Sequence, residues 1–376
     1  MKQWARLTAV VGLSALALAA CGEAPEEAGG DVASPGTDTA ASGEATTGGE
    51  AAEQVDFTGC MVTDAGGVDD RSFNEAADRG LTQAVEELGI EKTVVESGSE
   101  TDYQPNVEQL VSQDCDLIVG VGFLLAGAVG DAAAANPEEQ FALIDSTLEE
   151  PADNVKPLLF NTAEAAFLGG YLAAGMTETG TVATFGGIPI PPVTIFMDGF
   201  VDGVAYYNEQ KGADVQVLGW DKEAQDGTFT GDFDNQANGQ TVTENFIGQG
   251  ADIILPVAGP VGLGAAAAAE AAGDVNLIWV DSDGYESASQ YGALFISSVL
   301  KNIDAAVFDA TQQTLDGSFS NEPYVGTLEN GGVGLAPYHD FEDTVPQELK
   351  DEISALQEQI ISGEVTVESP ASPSAG

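Results

Sequence analysis

The sequence predicts an α/β protein built from two Rossmann-like lobes that face each other across a central cleft. Short apolar runs alternate with helical patterns through residues 55–160, and a second series of the same kind begins after Asn161. Such alternation is typical of a parallel sheet covered by helices on both faces. Because the chain has roughly 320 residues beyond its N-terminal segment, enough for two such units, two series indicate two lobes.

The apolar and amphipathic patterns fix the expected elements of each lobe. The first series predicts strands at residues 55–63, 93–96, 117–122, 141–145 and 157–160, with helices at 71–88, 106–113 and 125–135. The second predicts strands at residues 181–185, 215–220, 252–257 and 276–281, with helices at 165–177, 194–210, 240–248 and 261–272. We expect the first sheet to have the doubly wound order 2-1-3-4-5.

The N-terminus has the pattern of an export signal. Lys2 and Arg6 precede an apolar run at residues 7–20, which is too short for a stable membrane span. The run ends in Leu-Ala-Ala-Cys-Gly, with Cys21 at the position that is lipid-modified in bacterial lipoproteins. Residues 1–20 are therefore a predicted lipoprotein signal peptide, and acyl chains on Cys21 would anchor the protein to a membrane. Residues 21–54 are acidic and low in complexity, which predicts a disordered linker.

The charge balance excludes several classes of partner. Acidic residues number 62 against 10 Lys plus Arg, which gives a formal net charge of −52. No basic patch large enough for nucleic acid or an anionic lipid surface is available in such a chain. The ligand, if there is one, does not require a large cationic site.

Cysteine and histidine are scarce. Besides Cys21, the chain has Cys60 and Cys115, which begin the first and third predicted strands. In the expected order these strands are parallel neighbours, so both thiols lie at the same end; a disulfide and two buried free thiols are the alternatives. His339 is the single histidine and has no partner pattern. We therefore predict no metal site and no nucleophilic cysteine.

Residues 64–81 form the most informative stretch. A buried strand ends near Asp64, a loop with two glycines follows, and a helix begins with Ser72 as the expected N-cap and Glu75 as its capping-box partner. Strand ends of open α/β sheets are where such folds bind ligands. Asp64 and Asn74 offer hydrogen bonds and Phe73 a flat face, although an ordinary capped turn would have the same pattern.

Other candidate residues also fall at predicted strand ends. Asp145, Gly259 and Asp281 follow apolar runs of the two series, as Asp64 does. Carboxylates accept hydrogen bonds from N–H and O–H groups, so these residues together indicate a hydrogen-bonding site for a polar ligand. Phe196 is a second aromatic candidate for stacking on a flat ring, with core packing as the alternative.

Lys301 directly follows the apolar run at residues 294–300. The aspartates at the predicted strand ends would be partners for its positive charge. Lys301 would be able to donate hydrogen bonds to hydroxyl groups of a ligand. Its alternative role is that of a surface lysine whose stem covers apolar area.

These motifs resemble one known family. The pattern D-x-G-G-x-D-D-x-S-F-N at residues 64–74, followed by Gly80-Leu81, is similar to the first signature of the basic membrane protein family of purine nucleoside receptors. Further similar pieces follow in the family's order at residues 166–174, 185–189, 196–204, 235–264, 279–283, 297–301 and 331–335. The resemblance covers roughly residues 57–367. Members of this family are substrate-binding lipoproteins of ABC importers.

The resemblance implies a type I periplasmic-binding-protein-like fold whose two lobes close on a ligand like a hinge. The N-terminal lobe would comprise residues 55–160 plus 293–318, and the C-terminal lobe residues 161–292 plus 319–368. Residues 369–376 are rich in Pro and Ser and predict a disordered tail.

The resemblance also assigns roles within the site. Phe73, Asn74 and Asp145 would address the base, and Gly259, Asp281 and Lys301 would hold the sugar. The implied partners are a small-molecule ligand, ABC permease subunits and, through the lipid anchor, the extracytoplasmic face of the cell membrane. We expect a monomer without a cofactor or catalytic residues.

Two alternatives remain. A sugar or autoinducer-type receptor would have the same fold, although paired Phe73 and Phe196 with Asn74 favour a flat heterocycle. A metal-dependent nucleoside hydrolase would begin with D-x-D-x-G-x-D-D, but Thr63 and Ala65 occupy two of those acidic positions here. The sequence also has no Gly-x-Ser-x-Gly motif, no Cys–His pairing and no phosphate-binding loop, so catalysis is not predicted.

Overall fold

A computed structural model describes residues 53–373 and confirms the mixed α/β architecture with two largely parallel sheets. The predicted signal peptide, Cys21 and nearly all of the linker lie outside the described residues, as does the end of the predicted tail. Within residues 53–373, no helix combines the length and apolar character needed to cross a membrane.

The elements are as follows. The strands are β1 (Thr58–Ala65), β2 (Glu91–Ser97), β3 (Leu117–Val121), β4 (Phe141–Ile144), β5 (Val155–Phe160), β6 (Thr181–Gly186), β7 (Gln216–Leu218), β8 (Trp220–Asp221), β9 (Asp226–Gly227), β10 (Ile253–Val257), β11 (Asn276–Asp281), β12 (Phe295–Lys301), β13 (Tyr324–Gly326) and β14 (Val333–Leu335). The helices are α1 (Phe73–Leu88), α2 (Tyr103–Val111), α3 (Ala126–Ala135), α4 (Thr162–Met176), α5 (Pro191–Lys211), α6 (Gln236–Ile247), α7 (Val261–Ala272), α8 (Gly284–Ser287), α9 (Ile303–Leu315) and α10 (Gln347–Ile361).

The first sheet has the strand order β13-β5-β4-β3-β1-β2, and every pair in it is parallel. Its five sequential strands follow the predicted order 2-1-3-4-5. The second sheet has the order β14-β12-β11-β10-β6-β7, with only β14 antiparallel to its neighbour. Strands β8 and β9 form a separate two-stranded ribbon.

The lobe boundaries differ from those expected. Strand β12 pairs with β11 and β14, so residues 295–301 belong to the C-terminal sheet rather than to the N-terminal lobe. Strand β13 pairs with β5, so residues 324–326 belong to the N-terminal sheet rather than to the C-terminal lobe. The chain therefore crosses between lobes after β5, after β12 and after β13. An apolar run predicts a strand but does not indicate which sheet has a free edge for it.

Helix α4 packs closely against α5, and this packing positions one wall of the candidate ligand-binding site. A Cβ atom on Gly170 would lie 2.1 Å from the carbonyl oxygen of Phe200, and one on Gly203 would lie 2.0 Å from that of Phe167. Only glycine permits the two helix backbones to approach so closely. Helix α4 is buried along most of its length, and the pair forms the centre of the largest apolar cluster.

Cys60 and Cys115 are joined by a disulfide, with their Cα atoms 5.9 Å apart. The bond links β1 to Cys115, two residues before β3 begins, on the face of the sheet that α2 and α3 cover. Of the two alternatives that the sequence left open, the structure contains the bridge.

Residues 369–373 differ from the predicted disordered tail. The Ser369 hydroxyl donates to Asp198 Oδ2 over 2.6 Å, and the Ser372 hydroxyl donates to Asn161 Oδ1 over 3.1 Å. Asp198 is fully buried in α5 and also accepts from the indole of Trp220. A tail rich in serine and proline predicts disorder from its composition. Composition does not indicate that two of the serine hydroxyl groups donate to acceptors elsewhere in the chain.

Candidate ligand-binding site

A cavity lies where the carboxyl ends of the two sheets meet. The empty space within it, including the part that is open to solvent, is about 600 Å³. All eight residues predicted to bind a ligand line this cavity: Asp64, Phe73, Asn74, Asp145, Phe196, Gly259, Asp281 and Lys301. The structure thus brings the candidates together, whereas their roles toward a ligand remain predictions.

Strand ends and helix starts explain this convergence. Asp64 lies at the end of β1, Asp145 directly follows β4, Asp281 ends β11 and Lys301 ends β12. Parallel strands deliver their carboxyl ends to one edge of a sheet, so residues far apart in sequence meet there. The remaining members come from the first turn of α1, the first turns of α5 and the loop before α7.

One end of the cavity is built around a side-chain amide, and we call it the amide end (Asp64, Asp70 and Asn74). Asn74 Nδ2 donates to Asp64 Oδ1 over 2.8 Å and to Asp70 Oδ2 over 3.2 Å. Asn74 Oδ1 is buried and has no hydrogen-bond partner among residues 53–373. Gly122 makes room for the Asp64 carboxylate, because a Cβ atom there would lie 2.7 Å from Asp64 Oδ2.

The carboxyl groups of the amide end have raised pKa values. Burial raises the pKa of Asp64 to about 8; the hydrogen bond from Asn74 opposes this rise, and the neighbouring carboxylates add to it. Burial also raises the pKa of Asp70 to about 6, opposed by backbone N–H groups that donate to it. At neutral pH, Asp64 therefore carries a proton more readily than an ordinary aspartate does.

Another part of the cavity is built around an ammonium group, and we call it the lysine end (Asp145, Asp281 and Lys301). Lys301 Nζ lies 2.5 Å from Asp145 Oδ2 and 3.6 Å from Asp281 Oδ1. The Lys301 residue as a whole is only 3% exposed. Burial lowers the pKa of Lys301, but the two carboxylates more than offset this, so its pKa is raised and the ammonium stays charged.

Aromatic rings line the space beside the lysine end. Lys301 Nζ lies 4.9 Å from the ring centroid of Phe73, 5.4 Å from that of Phe196 and 5.7 Å from that of Phe160. These distances are within the range of cation–π interactions. Phe196 is almost fully buried and Phe73 is partly buried, and both also pack against the apolar core. Core packing, which the sequence offered as the alternative role, is therefore present, and stacking on a base stays a prediction.

Asp145 and Asp281 share an uncommon backbone conformation. Their φ angles are 64° and 66°, in the left-handed region that few residues other than glycine adopt. Aspartate tolerates this region better than most residues because its short side chain is able to hydrogen-bond locally. Both side chains turn toward Lys301 from strand ends, which the sequence pattern did not indicate.

Helix α1 begins differently from the prediction. Asp70 caps it, accepting from the backbone N–H groups of Ser72 (3.0 Å), Asn74 (2.7 Å) and Glu75 (3.0 Å). Ser72 makes no capping bond, so the predicted capping box is wrong. Asp70 lies two positions before the expected N-cap Ser72, and an acid so close to a predicted helix start is a signal that would have identified it.

Ser72 instead connects the two lobes. Its hydroxyl donates to Asp281 Oδ2 over 2.7 Å, and its carbonyl oxygen accepts from the Ser282 hydroxyl over 3.0 Å. The carbonyl oxygen of the preceding Arg71 accepts from the indole of Trp279 and the hydroxyl of Ser287. The N-terminal lobe is thereby hydrogen-bonded to the residue that, by resemblance, would hold the sugar.

The carboxyl groups of the cavity have partners other than a metal ion. Within the described part of the chain, no group of three or more His, Cys, Asp or Glu side chains is arranged to hold a metal ion. The carboxylates of the cavity are instead engaged with Asn74, Lys301, Ser72 and backbone N–H groups.

This chain is similar to known proteins over most of its length. Residues 57–370 match the family described as ABC transporter substrate-binding protein PnrA-like, or Bmp. An ABC transporter nucleoside-binding protein BmpA from Lactococcus lactis subsp. cremoris is 32% identical over 84% of this chain and 90% of its own length. An uncharacterized lipoprotein from Pyrococcus abyssi is 30% identical over 82% of this chain and 83% of its own length.

Among solved structures, an ABC transporter solute-binding protein from Aeropyrum pernix K1 is similar. It superposes with a TM-score of 0.75 at 28% identity, covering 84% of this chain and 94% of that chain. The match extends over both lobes, so the similarity is not limited to one sheet. This chain belongs to the PnrA-like (Bmp) family of ABC transporter substrate-binding proteins.

Proposed function

We propose that this substrate-binding protein takes up a purine nucleoside in its interlobe cavity and presents it to the permease subunits of an ABC importer. The observation that carries the proposal is a cavity with aromatic rings along its side and a hydrogen-bonding carboxylate pair at each end. A nucleoside has matching chemistry, since it combines a flat apolar base with polar groups on the base edge and on the sugar. The name of the Lactococcus relative agrees with this ligand class.

The base would lie against Phe73 and Phe196. Aromatic faces favour offset stacking, and the flat purine offers such a face on both sides. Asn74 Oδ1 is a buried acceptor without a partner among the described residues, so a donor on the base edge would satisfy it. Asp64 would lie beside the same edge and accept or donate according to its protonation state.

The ribose would lie beside Asp281 and Lys301 of the lysine end, with Asp145 on the side of the base. A carboxylate such as Asp281 accepts from two hydroxyl groups, and the Lys301 ammonium is able to donate to a third oxygen. Gly259 has a φ angle of 52° and lacks a side chain, so the backbone before α7 leaves room for the sugar. Exchange of part of the Lys301–Asp145 interaction for ligand contacts would accompany binding.

Hinge closure would couple binding to transport. Ser72 of the N-terminal lobe bonds to Asp281 of the C-terminal lobe, so a sugar contact at Asp281 stabilises the arrangement in which the lobes meet. Closure excludes water and strengthens the ligand's hydrogen bonds. The closed surface would then be recognised by the permease.

The proposal includes a membrane anchor. A lipid-modified Cys21 would hold the protein on the extracytoplasmic face of the cell membrane, with residues 22–54 as a tether. The Pyrococcus relative is named a lipoprotein, which supports this part of the proposal. We expect the protein to act as a monomer.

Isothermal titration of residues 50–376, which form one compact unit, tests the ligand class. The panel is adenosine, guanosine, inosine, uridine, ribose and calcium, with chromatography of the mixture for free base. We expect one purine nucleoside bound per protein and no free base. Binding of ribose alone would assign the protein to sugar receptors, and calcium-dependent release of base would assign it to the hydrolases.

A further inference from the structure

We propose that Asp70 is a positioning residue that sets the hydrogen-bonding polarity of the amide end. By holding the Asn74 amide, it leaves Asn74 Oδ1 facing the cavity, and the site therefore selects bases that offer an N–H group to this oxygen. The inference rests on the proposed function, because it requires a base in the cavity. It goes further in naming the feature of the base that is selected and the residue behind the selection.

The orientation of the Asn74 amide follows from its surroundings. An amide NH₂ has two hydrogens, and both are used: one donates to Asp64 Oδ1 over 2.8 Å and one to Asp70 Oδ2 over 3.2 Å. Rotation of the amide by half a turn would place Asn74 Oδ1 against the Asp70 carboxylate oxygen. Two acceptors without a proton between them repel, so the observed orientation is the favoured one.

Asp70 is itself held firmly. It is 2% exposed, and its two oxygens accept from the backbone N–H groups of Ser72, Asn74 and Glu75. Hydrogen bonds from backbone N–H groups stabilise the ionised carboxylate, as does the positive end of helix α1. The start of the helix thus fixes the carboxylate, and the carboxylate fixes the amide.

Asn74 Oδ1 determines which group the ligand has to offer at this point. Asn74 Oδ1 is buried and without a partner among residues 53–373, so a ligand without a donor at this point would leave it unsatisfied. Adenine offers its 6-amino group, and hypoxanthine and guanine offer N1–H. Unsubstituted purine has only ring-nitrogen acceptors on that edge. Sites that bond a specific ligand group reject analogues that lack it.

The test compares nucleosides that differ at this edge alone. Titration of residues 50–376 with adenosine, inosine, guanosine and purine riboside gives the discrimination ratio, defined as the Kd of purine riboside divided by that of the tightest of the other three. We expect a ratio of about 10 or more. Binding of purine riboside within about threefold of the best ligand would overturn the inference.

Asp70→Asn tests the positioning role. The single oxygen of asparagine is able to keep the bonds from Ser72 and Glu75, so helix α1 retains two of its three capping bonds. Its NH₂ group then lies where Asp70 Oδ2 accepted from Asn74, so Asn74 Oδ1 is free to turn toward it. We expect the ratio to fall to about 3 or less. Asp69→Asn is the matched control: it removes the same charge from the neighbouring exposed position and should retain the wild-type ratio.

The outcomes separate the two proposals. An unchanged ratio in Asp70→Asn would remove the positioning role. If that variant does not fold, Asp70→Ser, which also keeps a capping residue, takes its place with the same expectation. Failure of all four nucleosides to bind wild-type protein would instead remove the proposed function, and the inference with it.

Discussion

The two ends of the cavity follow the same plan with one difference. In each, a nitrogen lies between two carboxylates: Asn74 Nδ2 between Asp64 and Asp70 at the amide end, and Lys301 Nζ at the lysine end between the two strand-end aspartates. The nitrogen is neutral at the amide end and positively charged at the lysine end. The carboxylates therefore meet different electrostatic environments within one cavity.

This difference shows how a buried acidic site balances its charge. At the amide end the nitrogen brings no charge, and burial raises the pKa of Asp64 to about 8, so a proton takes the place of a cation. At the lysine end the carboxylates raise the pKa of Lys301, and an ion pair forms. The amide end should therefore respond to pH, whereas the lysine end should respond to loss of its cation.

The largest expected effect comes from Lys301→Met, which removes that cation. Asp145 and Asp281 would be left buried without a counter-charge, and breaking a buried pair in this way costs about 3–5 kcal/mol. We expect the free energy of unfolding in urea to fall by that amount and nucleoside affinity to fall at least about 100-fold. Lys350→Met, which breaks a surface pair with Glu342, is the control and should cost about 1 kcal/mol or less. Equal losses in the two variants would contradict the comparison.

Asp281→Ala should separate sugar recognition from base recognition. The lost carboxylate contacts belong to the ribose in our account, so we expect nucleosides to lose at least about tenfold more affinity than the free bases do. Titration of each variant with inosine and hypoxanthine measures this difference. Equal losses for nucleoside and base would move Asp281 away from the ribose.

Phe196→Ala is the counterpart on the aromatic wall. A lost stacking face affects the base whether or not a sugar is attached, so we expect similar losses for inosine and hypoxanthine, from several-fold to about 100-fold. Circular dichroism should show an intact fold. If binding is unchanged, Phe196 contributes only to the core.

Ser72→Ala tests the bond between the lobes. Hydrogen bonds to charged groups contribute about 1.5–3 kcal/mol, and this one forms only when the lobes meet, so we expect nucleoside dissociation to become about tenfold faster. Stopped-flow fluorescence measures the rate. Ser112→Ala, which removes an exposed hydroxyl bonded within its own lobe, is the control. A wild-type dissociation rate in Ser72→Ala would show that this bond does not contribute to closure.

The smallest expected effect concerns pH. Between pH 4 and 8 the folded protein keeps the Asp64 proton that the unfolded chain has lost, because the pKa rises from 3.8 to about 8 on folding. Stability from this group therefore falls as pH rises through that window and levels off above it. Asp70, Asp145 and Asp281 face Asp64 and add to the rise.

The variant that checks this is Asp64→Asn. Its Tm should fall less between pH 5 and 8 than that of the wild type, by a few degrees. Asp69→Asn, on the exposed side of the same loop, should follow the wild-type curve. Parallel curves for all three proteins would place the Asp64 pKa near its ordinary value.

The sequence predicted the architecture and the membership of the cavity because both depend on local patterns. Apolar runs gave the strands, and the rule that ligands bind at strand ends identified Asp64, Asp145 and Asp281 before their partners were known. Lys301 followed from its place after an apolar run.

Features that depend on contacts between distant residues were missed. Ser72 was predicted to cap α1 because serine is a good cap, but its hydroxyl bonds to Asp281, about 200 positions later in the chain. Strand β12 was placed in the wrong lobe because pairing is decided by a free sheet edge. The left-handed backbone at Asp145 and Asp281 likewise has no signal in the local sequence pattern.

A crystal structure of residues 50–376 with inosine tests the central claim most directly. We predict the hypoxanthine ring between Phe73 and Phe196 with its N1–H directed to Asn74 Oδ1, and ribose hydroxyls at Asp281 and Lys301. A base bonded to Asp281 and Lys301 in place of the ribose, or a ligand outside the cavity, would contradict the account.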